Sequence, residues 1–142
     1  MIKTKIINPE LLYELALLGH FDKVMICDIG YPIPADANRL DLSLVPGLPS
    51  MPQVLEALLS SCVFQGYTIV EDMKDIVPDV YQYVTTTLSK LPHDEVSWEE
   101  LQAKAADCKL YIRSGENRRK CNVILTSTSA APNLVEQYDI EL

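Results

Sequence analysis

Leu18-Gly-His-Phe-Asp-Lys-Val-Met-Ile-Cys-Asp-Ile-Gly-Tyr-Pro-Ile-Pro34 is the segment on which the fold class of this 142-residue chain turns. Val24-Met-Ile-Cys27 is a short unbroken apolar run, the pattern of a strand covered on both faces rather than one. A strand of that kind belongs to a sheet sandwiched between helices. Asp28 follows it directly, at the carboxyl end, where open α/β sheets meet their ligands. Tyr31-Pro-Ile-Pro34 can neither continue as a central strand nor enter a helix, so it leaves as a rigid loop. On the other side of the run stands His20, one of only two histidines in the chain.

Upstream, Asn8-Pro9-Glu10 supplies a cap, a proline suited to the first helical position and an acid near the positive end of the dipole. Leu11, Leu12, Leu15 and Leu18 recur at helical spacing, and Gly19 is expected to provide a left-handed stop. His20 then lies at a helix exit, where the dipole and Asp22 favour the imidazolium form that a proton donor needs. Downstream, Arg39-Leu-Asp-Leu-Ser-Leu44 alternates strictly and predicts a second strand with three leucines on one face. Ser50-Met-Pro-Gln53 opens a helix through a capping box, with Val54, Leu55, Leu58, Leu59 and Cys62 as its core stripe.

Gly66 is expected to break the chain before a third strand, Tyr67–Val70, which ends in the acidic pair Glu71-Asp72. Pro78 starts another helix with Val80, Val84, Leu88 and Leu91 on one side, and His93 beside Pro92 reads as an exposed loop residue. Ser97-Trp-Glu-Glu100 caps a helix through about Ala106, and Leu110–Ile112 and Val123–Leu125 are the last two strands. Strands alternating with helices predict a single-domain α/β three-layer sandwich with a largely parallel sheet over residues 1–127. Residues 128–142 are polar and acidic and form a C-terminal extension, either frayed or strapped across a neighbour.

Twelve basic against twenty acidic residues give a net charge of −8, which repels a phosphate backbone and argues against nucleic acid. Arg118-Arg119-Lys120 is a local exception, suited to a solvated turn, an anionic group or a neighbouring subunit. The four cysteines form no CxxC pair and have no histidine at metal-ligand spacing, so buried free thiols in a reducing compartment are expected, with no metal site. With no signal-peptide core and no apolar run of membrane-spanning length, a cytoplasmic protein without membrane attachment is expected.

Asn8-Pro-Glu-Leu-Leu12, Leu18-Gly-His20, Asp28-Ile-Gly-Tyr-Pro-Ile-Pro34, Arg39-Leu-Asp-Leu-Ser-Leu44, Pro46-Gly-Leu-Pro-Ser50 and Arg113-Ser-Gly-Glu116 resemble, in order and spacing, the D-ribose pyranase family and its relatives the L-fucose mutarotases. The resemblance covers about residues 2–127 and is densest in the first fifty. It implies a ribose pyranase-like fold and interconversion of ring forms or anomers of a monosaccharide, without cofactor or metal. It also implies a ring-like homo-oligomer with the sugar bound between subunits. By position His20 matches the family's proton donor and Asp28 its sugar-binding acid. Trp98 stands where the ribose enzymes have a histidine, and Lys120, Cys121 and Asn122 stand where they have Tyr-Ala-Asn.

Opening a pyranose ring requires a proton delivered to the ring oxygen and another removed from the anomeric hydroxyl. His20 suits the first task. A tyrosine hydroxyl both donates and accepts, whereas the Lys120 ammonium only donates, and Trp98 offers one donor and a flat apolar face. Either Asp28, Tyr31 or His93 takes the second role, or the differences at Trp98 and Lys120 leave an altered, weak activity. Two other functions fit the same residues: a non-catalytic monosaccharide-binding or regulatory protein, and an oligomeric partner protein with no sugar site.

Overall fold

In the computed structural model, which describes all of residues 1–142, the apolar run becomes strand β1 (Lys23–Cys27). Val24, Met25, Ile26 and Cys27 are all fully buried. Because successive side chains point to opposite faces, both faces of β1 are covered. The remaining strands are β2 (Arg39–Asp41), β3 (Phe64–Val70), β4 (His93–Val96), β5 (Cys108–Arg113) and β6 (Val123–Ser127). They form one sheet in the order β2-β5-β1-β6-β3-β4. β1 and β2 each pair parallel with β5, and β3 with β4, while β6 runs antiparallel to both β1 and β3. Five strands therefore point one way and β6 the other, so the start of β6 lies at the carboxyl end of its neighbours.

Six helices complete the chain: α1 (Pro9–Ala16), α2 (Met51–Leu59), α3 (Met73–Ile76), α4 (Pro78–Thr87), α5 (Trp98–Ala105) and α6 (Pro132–Tyr138). Asn8 Oδ1 accepts the Leu11 N–H at 2.9 Å and starts α1 as its sequence predicts. Ser50 and Gln53 form the full reciprocal capping box at α2. The α2 stripe of Val54, Leu55, Leu58 and Leu59 is buried in a single cluster of apolar side chains that draws on every strand, as one domain requires. No helix is long and apolar enough to cross a membrane.

Five expectations are corrected. Gly19 is not the left-handed residue after α1; Phe21 is, at φ 68°, and Asp22 Oδ2 accepts the Gly19 N–H to tighten the turn. β2 stops at Asp41, so Leu40 is buried while Leu44 lies exposed, because Ser43 folds back to bond Asp41. Gly66 lies inside β3, where a Cβ would press on the Pro92 carbonyl at the start of β4. His93 belongs to β4, an edge strand whose His-Asp-Glu-Val sequence lacks apolar alternation. The C-terminal extension is not frayed: it carries α6 against its own chain. Pro132 occupies the first turn of α6, Lys90 Nζ donates to the Asp139 carbonyl at 2.8 Å, and Tyr138 and Ile140 pack on the core.

Two of the quoted motifs lock each other. The Gly115 N–H donates to the Pro49 carbonyl at 2.7 Å and the Gly115 carbonyl accepts from Gly47 N–H at 2.6 Å. A Cβ on Gly115 would overlap the Leu48 backbone, which has no flexible end to give way. Gly115→Ala is therefore expected to lower stability by about 1–3 kcal/mol, read as a lower urea midpoint, by prising residues 45–49 off the 113–119 loop. An unchanged midpoint would show that the two loops do not depend on this approach.

All four cysteines are free thiols. Next to the Gly115 lock, Glu116 is almost fully buried; burial pushes its carboxyl up, but the hydrogen bonds and charge of Arg118 outweigh this and hold it below the ordinary glutamate range. Arg118 in turn reaches Asp79 at 2.7 Å, so this member of the basic cluster is consumed in structure.

Candidate functional site

The carboxyl edge of the sheet gathers most of the residues singled out in the sequence. Asp28, at the end of β1, is only 6% exposed. Its Oδ1 accepts the Gly30 N–H at 2.9 Å and its Oδ2 accepts from Asn122 Nδ2 at 3.0 Å, while Asn122 Oδ1 accepts the Asp28 backbone N–H at 2.9 Å. Asn122 reaches it because β6 starts at this edge, next to the end of β1. Burial pushes the Asp28 carboxyl above the ordinary aspartate range, opposed in part by the Gly30 and Asn122 donors. The result is a carboxylate that binds a proton more readily than one in water.

Lys120 adopts a left-handed backbone (φ 68°), and apart from Phe21 it is the only non-glycine residue that does. Such residues are sparsely populated and tend to cluster at functional positions. Its ammonium sits 4.0 Å from the centroid of the Trp98 ring and 3.9 Å from Asp72 Oδ2. Trp98, at the start of α5, meets Tyr31 edge to face at 5.6 Å. One face of the indole is thus taken by a cation rather than left open for stacking. Burial raises the Tyr31 phenol far above its usual range, so it stays protonated at neutral pH and cannot act as a base.

Cys121 lies between Lys120 and Asn122 in sequence but points the other way. Its thiol is fully buried in the apolar core and pushed up to about 12, chiefly by burial, so it supports the edge from beneath and presents no side chain to a ligand. Asp72, by contrast, carried no assigned role, although the acidic pair ending β3 was visible in the sequence.

His20 is not at this edge. It precedes β1 while Asp28 follows it, and at roughly 3.3 Å per residue the strand puts on the order of 15 Å between them. The His20 turn is bolted to the far end of β6 by Phe21 N–H to the Ser127 carbonyl at 2.9 Å and Ser127 N–H to the Asp22 carbonyl at 2.8 Å. Lys109 holds Asp22 at 2.8 Å, and this ion pair keeps the Asp22 carboxyl below its usual range. The exposed imidazole stacks on Phe21 with centroids 3.9 Å apart, and Gln65 Oε1 accepts from its Nε2 at 2.9 Å. Beside it a groove of about 340 Å³ runs past Tyr67 and His93, whose rings also stack. His93 therefore shares the His20 end of the sheet, not the Asp28 end.

A cavity of about 710 Å³ is lined by neither group: it lies between residues 86–90 and residues 135–142. Asp28 sits instead at the sheet's carboxyl edge, beneath the exposed Ile29 and Gly30, with Lys120 and Trp98 half-buried. Asp28 as an acceptor, with the Lys120 backbone N–H directed to it, and the Lys120 ammonium as a donor beside Asp72 and Trp98 supply the two kinds of group that a polyol's hydroxyls pair with.

Comparison with known proteins bears on the family and the fold. The sequence model of the RbsD / FucU transport protein family matches residues 1–130. D-ribose pyranase from Geobacillus thermodenitrificans is 39% identical over 127 residues, covering 89% of this chain and 96% of that protein. D-ribose pyranase from Photobacterium profundum is 35% identical over 135 residues. The structure of Bacillus subtilis RbsD complexed with D-ribose superposes with a TM-score of 0.88 at 30% identity, covering 92% of this chain and all of the other. The fucose mutarotase from Streptococcus pneumoniae in complex with L-fucose shares the fold, with a TM-score of 0.78 at 17% identity.

Proposed function

The chain belongs to the RbsD / FucU transport protein family, and from that premise we propose that it interconverts ring forms or anomers of a monosaccharide by general acid–base chemistry. The observation that carries this is the buried Asp28 carboxyl, held by Asn122, Gly30 and the Lys120 backbone N–H at the sheet's carboxyl edge. Asp28 takes the proton of the anomeric hydroxyl as the bond from C1 to the ring oxygen breaks and the carbonyl forms. His20 delivers a proton to the departing ring oxygen, and reclosure on either face or through another hydroxyl reverses both transfers. Burial favours Asp28 in this role, since it strengthens the carboxylate as a base.

His20 and Asp28 of one chain lie at opposite ends of β1, so the site is built from two copies: the His20 turn of one protomer closes over the Asp28 edge of the next. An isolated copy is then inactive. Closed ring assembly repeats one heterologous contact and supplies every Asp28 with a His20. The exposed Ile29 next to Asp28 and the exposed Phe21 and Leu17 around His20 fit such a junction. Lys120, in place of a hydroxyl group, donates to a sugar oxygen, and Trp98 holds it there.

Saturation-transfer NMR with D-ribose and with L-fucose tests this. The wild-type protein is expected to accelerate exchange between the cyclic forms of at least one of these sugars over buffer. Calorimetric binding of either sugar with no acceleration would replace the enzyme by a non-catalytic sugar-binding protein. Neither binding nor exchange would sink the sugar site itself.

A further inference from the structure

We propose that Gln65 is a positioning residue for His20, fixing which ring nitrogen handles the proton; this rests on the function proposed above. Gln65 lies on β3, 45 residues from His20 in sequence, and its side-chain oxygen accepts from Nε2 at 2.9 Å. A carbonyl oxygen only accepts, so Nε2 keeps its hydrogen and Nδ1 is left as the exchanging nitrogen. In the acid step the Nδ1–H bond breaks as the O–H bond forms at the sugar's ring oxygen, leaving the neutral Nε2–H tautomer bound to Gln65. The return step restores the proton to Nδ1.

Two further features immobilise the ring. Phe21 is driven into the left-handed region, where a bulky side chain is disfavoured, and its ring stacks on the imidazole at an interplanar angle of 12°. The turn beneath is cross-tied through Asp22 to Gly19 and to Lys109. With the backbone and one ring face fixed, rotation of the ring about its own axis is the freedom that remains, and the Gln65 bond removes it. Catalytic groups require such locking by neighbours that do not touch the substrate.

The charged and titratable groups around the imidazole within the chain are few. Asp22 is already paired with Lys109, Lys23 opens β1, and His93 and Asp94 line the groove on the β4 side. Gln65 is neutral, so replacing it by glutamate puts a carboxylate directly on Nε2 with little change of shape.

The test uses the full-length protein with Gln65→Leu and Gln65→Glu, and a His93→Asn background so that a single histidine gives the NMR signals. In wild type, nitrogen-15 spectra at alkaline pH are expected to show the neutral Nε2–H tautomer of His20, and Gln65→Leu a mixture of tautomers. Gln65→Leu is expected to lower kcat for sugar exchange about 10-fold with KM changed less than about 2-fold, since the substrate's own contacts are intact. Gln65→Glu is expected to recover most of that loss while moving the alkaline limb of the pH–rate profile upward by about one unit, because an adjacent carboxylate favours imidazolium. A wild-type tautomer and rate in Gln65→Leu, or an unmoved limb in Gln65→Glu, would overturn the assignment. If wild type exchanges no sugar, the function proposal fails alone, and the tautomer spectra still decide whether Gln65 fixes the ring.

Discussion

His20→Ala is expected to slow ring-form exchange of the cognate sugar by about 10²–10⁴-fold, the usual contribution of one positioned general acid. Binding should weaken far less, because the proposed site assigns the sugar's hydroxyls to Asp28 and Lys120, not to His20. Stability should hardly move either: the imidazole is exposed and makes one side-chain hydrogen bond, so its loss breaks little packing. Calorimetry, exchange NMR and a melting curve on the same preparation separate the three quantities. A variant that keeps the wild-type exchange rate would remove His20 from the mechanism.

Mixing variants tests the shared site more sharply. His20→Ala and Asp28→Asn are each expected to be strongly slowed, yet co-assembled at equal amounts they should regain much of the lost activity. In a random ring each junction draws its His20 from one chain and its Asp28 from the next, so about a quarter of junctions carry both native groups. A site contained within one chain gives no such recovery, since every chain then lacks one group. The geometry of β1 already disfavours that second outcome, because no rotamer of His20 spans a five-residue strand.

What the sequence revealed and what it hid follow from how far apart the interacting residues lie. The α1 cap, the Ser50 capping box, the buried β1 run and the placing of Asp28 at a carboxyl edge all depend on neighbours within a few residues, and all appear in the structure. β4 stayed hidden because His-Asp-Glu-Val has no apolar alternation; its strand character comes from pairing with β3 at the sheet's edge, a tertiary effect. α6 stayed hidden because Pro132 reads as a breaker until its place in the first helical turn is known.

At the site, Asp28 and Asn122 were singled out only by family resemblance, not by any periodicity, and the reversed direction of β6 is what brings them together. The Lys120 ammonium on the Trp98 ring joins residues 22 positions apart and left no local trace. Gln65 left none either: a glutamine in a strand is a common solvent-facing residue until a histidine from a distant turn is seen to bond it.

Asn122→Leu is expected to be the most damaging single change at the Asp28 edge. Asn122 is fully buried and satisfies Asp28 twice, accepting from its backbone N–H and donating to its Oδ2. Leucine fills nearly the same volume and offers neither group. Each buried partner left unsatisfied costs about 1–3 kcal/mol, so a loss of about 2–5 kcal/mol is expected from urea unfolding at neutral pH. The pH dependence identifies the cause. Burial already raises the Asp28 carboxyl, and the Asn122 donor opposes that rise, so its removal raises the carboxyl further. A carboxyl raised in the folded state contributes stability at low pH that is lost as pH climbs through its folded pKa. The deficit of Asn122→Leu against wild type should therefore be smaller in acid, where Asp28 is protonated in both proteins, and widen toward neutrality. Other titrating groups are common to the two proteins and cancel in the difference. A deficit independent of pH would mean that Asn122 serves only to fill space and satisfy the backbone, and that the Asp28 carboxylate, the proposed proton acceptor, does not depend on it.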